Sequence, residues 1–291
     1  MNYYRHANGL HPITADTALS DADLNHARYL VKNRIGFGAG GEVHDENRQN
    51  QWYTPAGYAA GHSGNVMQST AEISESAAIE RWMGAPFHGL AMLAPDLKTS
   101  GFGSYCEPGL CAAVLSVGHI ANLAQAATLK TREQFDYDSD APEKRNQLFL
   151  ETPVRWPAPA VTISNGSFGG SEWPNPLSAC PGYTPPTGAV IFASFGSDFV
   201  AEPQPESLAC GGAPVDHCMV TAKNYQSPDA TQLNTAREIL QGDAAVLLIP
   251  RNPVKPGSTC QVSLTVDGTE YQWSFSVGPQ AVRAADDANS H

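Results

Sequence analysis

His44, Glu46 and His88 have the widest chemical reach in this sequence. A neutral imidazole binds a divalent metal such as zinc or shuttles a proton near neutral pH, and a nearby carboxylate orients the ring or completes a ligand set. The two histidines lie too far apart for their spacing to convey anything by itself. From residue types alone, satisfied surface or core histidines are the competing reading. A shared site therefore depends on elements that return residue 88 to residue 44.

Three other patterns suggest chemistry that their context denies. Gly36, Gly38 and Gly41 satisfy G-x-G-x-x-G, but a dinucleotide fingerprint needs a strand before the turn and a helix after it. Here a helix precedes and a polar loop follows. Gly61-His62-Ser63-Gly64 is close to a hydrolase nucleophile elbow, yet Asn65 stands where the second glycine belongs and no buried strand leads into Ser63. Asp136, Asp138 and Asp140 begin like a calcium loop, but Ala141 occupies the glycine turn and Gln147 replaces the bidentate glutamate. A solvated acidic linker is the better account of that stretch.

The elements that would position the histidines are readable in outline. Residues 2–10 read as a helix and turn. Leu24, Ala27, Leu30 and Val31 predict a helix that starts at Ser20, carries Asp21 and Asp23 at its positive end, and stops near Arg34. Ser69 and Glu72 form an S-x-x-E cap for another helix, with Ile73, Ala77, Ile79, Trp82 and Met83 as its apolar face and Gly84 and Pro86 as its stop. Residues 110–117 read as a buried strand and 119–130 as a further helix. Farther on, 189–195 and 244–249 are strand candidates. Val262, Leu264 and Val266 alternate, Asp267 and Gly268 turn the chain, and Tyr271, Trp273, Phe275 and Val277 alternate back, which predicts a hairpin. Its apolar face must pack on another sheet. A small β-sandwich resembling an immunoglobulin-like domain follows, with one helix inserted at Leu233, Ala236, Ile239 and Leu240.

Composition narrows the setting. The 291 residues suggest about two domains, and 42% hydrophobic against 16% charged residues supply a packed interior. Seventeen lysines and arginines against 29 aspartates and glutamates give a net charge of −12, which argues against nucleic acid and anionic lipid surfaces. No apolar stretch approaches the ~20 residues that cross a bilayer, so no transmembrane segment is expected. No signal peptide is visible after Met1, which points to an engineered or processed start. Six cysteines without a C-x-x-C pair favour a disulfide framework over a zinc ribbon, with free cytosolic thiols as the alternative. Among the many possible connectivities, Cys106–Cys111 and Cys210–Cys218 look like local loops, leaving Cys180 to pair with Cys260. The charged stretch after Thr131 and the prolines at 153, 157 and 159 place a boundary near 150.

Several stretches, in order, resemble the CAP superfamily of cysteine-rich secretory, antigen 5 and pathogenesis-related proteins, especially its bacterial branch. Asn2-Tyr3-Tyr4-Arg5, Gly9-Leu10, Pro12, Asp16, Leu19 and His26-Ala27 resemble the opening helices. Val43-His44-Asp45-Glu46 and Tyr53-Thr54-Pro55-Ala56-Gly57 are similar to the loop carrying the first cavity histidine, and Trp82-Met83-Gly84-Ala85-Pro86-Phe87-His88 resembles the W-M-x-S-P-x-H segment. The resemblance covers about residues 1–118. It implies a three-layer α-β-α sandwich with an open groove; with the smaller all-β sandwich read from the hairpin after it, the fold class is α+β. The corresponding division is a CAP domain over 1–130, a linker over 131–152, the immunoglobulin-like sandwich over 153–280 and a tail over 281–291. His44, Glu46 and His88 become groove residues, and His44 and His88 the metal ligands, the cofactor being a divalent metal such as zinc. Two departures stand out: Gly64 replaces one cavity glutamate, and Gly84 to Phe87 offer no second one. The implied function is a secreted or cell-surface ligand-binding or interaction module whose partner is a small ligand, lipid or peptide. The alternative is a metal-assisted, peptidase-like hydrolase using the same groove. His26 and His119 read as structural.

Overall fold

The computed structural model describes residues 1–37, 42–118, 149–196 and 206–279, with the backbone alone at 149–151. Gly38 and Gly41, the 119–130 helix with His119, the acidic stretch at Asp136 to Asp140, most of the 131–152 linker and the 281–291 tail lie outside the described residues. The chain divides into two compact units, Met1–Gly84 with His88–Leu148, and Ala85–Phe87 with Phe149–His291.

The first unit is built from α1 (Asn2–Ala7), β1 (Thr14–Ala15), α2 (Thr17–Asn33), α3 (Pro55–Ser63), β2 (Gly64–Ser69), α4 (Glu75–Met83), α5 (Pro86–Met92) from His88 onward, β3 (Thr99–Ser100), β4 (Phe102–Glu107) and β5 (Leu110–Ser116). Strands β2, β5 and β4 form an antiparallel sheet in that order, and β1 pairs with β3 in parallel. Ala27, Leu30 and Val31 of α2 pack with Val66, Ala112 and Val114 of the sheet, so the helical periodicity read from the sequence is the core face. Gly103 points at α2, where its missing side chain lets the strand meet the helix backbone at Leu24. The next residue back, Phe102, faces the other side, and its ring lies 6.5 Å from that of Trp82 in α4. Helices thus cover both faces of the sheet.

Two helix starts differ from expectation. Asp16, not Ser20, caps α2, accepting from the Ala18 and Leu19 amides, while Ser20 donates its hydroxyl back to the Asp16 carbonyl. The helix ends at Arg34 in the left-handed region, as its periodicity predicted. Ser74 caps α4, and Ile73 lies outside it; Ser69 ends β2 opposite Cys111. Each true cap competed with a serine that fits the same pattern. Pro86 opens α5 instead of only closing α4, the first helical turn having no use for the missing amide.

The second unit contains β6 (Phe149–Trp156), β7 (Thr162–Ile163), β8 (Ser167–Phe168), β9 (Thr187–Gly188), β10 (Ile191–Gly196), β11 (Glu206–Cys210), β12 (Ala213–Pro214), β13 (His217–Val220), α6 (Ala230–Gly242), β14 (Ala245–Pro250), β15 (Thr259–Val266) and β16 (Thr269–Val277). The sheets run β13-β14-β10-β6 and β12-β11-β15-β16-β7. Asp267 and Gly268 both take positive φ, 49° and 77°, the requirement of a tight hairpin turn between Val266 and Thr269. Phe195 of one sheet meets Tyr271 of the other, ring centroids 5.2 Å apart, and the Trp273 indole donates to the Pro157 carbonyl at 3.0 Å.

All six cysteines are bridged, as Cys106–Cys111, Cys180–Cys218 and Cys210–Cys260. The first is the expected local loop. The other two exchange the expected partners. Cys210 and Cys260 are register neighbours on β11 and β15, Cα atoms 4.0 Å apart, whereas Cys218 lies on β13 in the other sheet. Sequence proximity favoured Cys210 with Cys218, but strand pairing decides it.

Candidate functional site

The site is organised by the loop between α2 and α3. Thr54 caps α3, its hydroxyl accepting from the Gly57 amide at 2.9 Å, and Pro55 follows at the first helical position. The Thr54 amide in turn donates to Glu46 Oε2 at 3.1 Å. The other oxygen, Oε1, lies 2.8 Å from Nδ1 of His26, which is fully buried on α2. Nε2 of His26 is 2.9 Å from the Val43 carbonyl. A carbonyl only accepts, so Nε2 carries a proton.

Gly57 and Gly61, one helical turn apart on α3, make this approach possible. A Cβ at Gly57 would lie 2.7 Å from Glu46 Oε1, and one at Gly61 would lie 2.6 Å from Nε2 of His26. His44 uses the same turn: its Nδ1 is 2.7 Å from the Gly61 carbonyl, so Nδ1 holds the ring proton and Nε2 is the lone-pair atom of the neutral imidazole.

His88 lies on α5, whose main chain is tied to β2 by the Asn65 side-chain amide donating to the His88 carbonyl at 3.2 Å. Its imidazole is near enough to His44 to oppose protonation there. Burial pushes His44 down to about 4; the Gly61 carbonyl works against that shift, while His26, His88 and His62 add to it. Burial also raises Glu46, against the pull of its bonds to His26 and the Thr54 amide.

His44 and His88 thus share an electrostatic environment, while Glu46 is joined to His26 rather than to His44. His26 and His62 are the additional ring systems around the site. Nothing in the spacing of residues 26 and 46 announces their pairing; the glycine pair at 57 and 61 was the available signal of close helix approach. Ser63 donates its hydroxyl to the Ala59 carbonyl at 3.0 Å, a helical back-bond rather than an activated nucleophile. At Gly64, a Cβ would lie 2.6 Å from the Ala60 carbonyl, so any side chain at this position would press on the helix backbone.

With this geometry in place, the comparison is specific. Residues 1–118 match the model of the cysteine-rich secretory protein family, CAP. The match supports placing this stretch in the CAP superfamily, and the mixed helices and sheets of the unit agree with it. No curated protein matches the chain. The CAP match over residues 1–118 and the three disulfides fit a generic extracellular interaction module. No described helix is long and apolar enough to cross a membrane.

Among the described residues, the side chains around His44 do not make a full zinc ligand set. Three or four protein ligands are the rule for zinc, and no group of three or more His, Cys, Asp or Glu side chains among the described residues could hold an ion. Glu46, the nearest acidic candidate in sequence, spends both oxygens on His26 and Thr54.

The depressed His44 has a consequence for pH. The unfolded chain protonates this ring around 6.5 and the folded chain only around 4. Its contribution to stability is therefore complete above pH 6.5 and lost as pH falls through 4. The unfolding free-energy difference between wild type and His44→Gln is expected to shrink by about 2–3 kcal/mol between pH 7 and pH 4. Urea unfolding at the two pH values checks this, and a constant difference would contradict it.

Proposed function

We propose that residues 1–118 act as a ligand-binding module of a secreted or cell-surface protein, with His44 and His88 as the contact site for a small ligand, lipid or peptide. The observation that supports this reading is a neutral His44 imidazole, its proton fixed on the Gly61 carbonyl, within electrostatic reach of His88. Such a pair accepts a hydrogen bond from a ligand or lends weak affinity to a divalent ion whose remaining positions a ligand fills. The missing cavity carboxylates and the commitment of Glu46 to His26 favour binding over turnover.

The test pairs two assays on full-length protein. Zn²⁺ added to metal-stripped protein is expected to bind well short of the ~10 kcal/mol of structural zinc sites, and the response should vanish in His44→Ala and His88→Ala. Casein is expected to remain uncut by wild type. Casein cleavage by wild type that disappears in His88→Ala would replace the binding reading with the hydrolase.

For the second unit we propose an immunoglobulin-like sandwich over 153–280 that folds by itself, joined by a 131–152 linker to a CAP domain over 1–130. Support comes from its two sheets, one antiparallel and one antiparallel but for the β7 edge, the Phe195–Tyr271 ring contact between them and two internal disulfides. The oxidised fragment 153–280 is expected to show a strand-rich circular dichroism spectrum and one cooperative melt; a disordered spectrum would sink this division.

A further inference from the structure

We infer that His26 is the positioning residue of the CAP site: its two ring nitrogens tie down the backbone on both sides of His44, so that His44 keeps its Nδ1 proton on Gly61 and presents Nε2. The inference rests on the reading that His44 serves the site. Val43 and Glu46 bracket His44 in the chain, and His26 holds the first by its carbonyl at 2.9 Å and the second by its carboxyl at 2.8 Å. Neither bond is to His44 itself, so His26 acts through the loop. Gly61 completes the arrangement in two ways. Its missing side chain admits the His26 ring, and its carbonyl receives the His44 proton. Displacing the His26 ring would loosen the loop and change the helix surface against which it closes.

The environment of His26 is closely packed and hydrogen-bonded. The ring is fully buried and stacks with Tyr29 one turn along α2, centroids 6.3 Å apart and planes within 8°. The Tyr29 hydroxyl accepts from the Asn47 amide at 2.9 Å, which anchors the loop just past Glu46. A core histidine kept only for packing would have no need to bond both flanks of another histidine.

Long-range ¹H–¹⁵N spectra of the imidazoles in the full chain test this without any ligand, so failure of Zn²⁺ or ligand binding leaves the result independent. Wild type is expected to show His44 as the Nδ1–H tautomer at pH 7. In His26→Ala that preference should be lost, because the loop that holds His44 against Gly61 is no longer tied down at Val43 and Glu46. His26→Gln, whose amide is long enough to donate to the Val43 carbonyl, should restore the tautomer; His26→Asn, which is too short, should not. An Nε2–H tautomer in wild type would overturn the proposal, as would an unchanged His44 spectrum in folded His26→Ala. Should the alanine variant not fold, the glutamine and asparagine variants decide, and identical His44 spectra in those two would equally overturn it.

Discussion

Gly103→Ala is expected to destabilise the first unit by about 3 kcal/mol, among the larger costs of over-packing. A Cβ at this position of β4 would collide with the Leu24 amide nitrogen and lie 2.6 Å from the Leu24 Cα. Both atoms belong to the backbone of α2, which cannot turn aside as a flexible side-chain tip can. Relief requires the strand and the helix to separate, and that opens the core formed by Ala27, Leu30, Val66 and Val114. Gly169→Ala is the control, because its Cβ would meet nothing within 4 Å, and its effect should stay within about 0.5 kcal/mol. Urea unfolding of both variants checks the pair; equal midpoints would show that β4 does not sit against α2 as described.

Arg5→Ala is the second large effect, expected to cost about 3–5 kcal/mol. The side chain is fully buried and donates to four carbonyls: Nε to His11 at 3.0 Å, Nη1 to Met92 at 3.1 Å and to Ala94 at 2.9 Å, and Nη2 to Leu97 at 3.1 Å. The guanidinium therefore sutures the turn after α1 to the segment following α5. Alanine leaves a void and four acceptors without their charged donor. Lysine should recover little, since a compact ammonium lacks the planar fork that reaches carbonyls in several directions. A melting temperature for Arg5→Lys equal to wild type would refute this account.

The sequence carried some of this architecture openly and hid the rest for physical reasons. The apolar spacing of α2, the alternation of β15 and β16 and the Asp267-Gly268 turn are local, so they could be read directly. Strand β2 was not legible, because its three most buried residues are consecutive rather than alternate, and in β4 Gly103 looks like a turn residue until the helix behind it is known. The exchange of disulfide partners has the same origin: the pairing of Cys210 with Cys260 depends on the register of strands distant in sequence. His44 and His88 stand out by residue type, and only the resemblance, not their spacing, puts them in one groove. The bond between His26 and Glu46 was missed because it exists only where Gly57 and Gly61 let α3 close on α2.

The bridges are also unevenly distributed. In the first unit, Cys106–Cys111 spans a sequence separation of 5, a hairpin already held by its ladder, whereas the second unit's bridges span 38 and 50. Chain-entropy stabilisation grows with the loop enclosed. A thiol reductant is therefore expected to weaken the second unit more than the first, whose single bridge closes only a short hairpin.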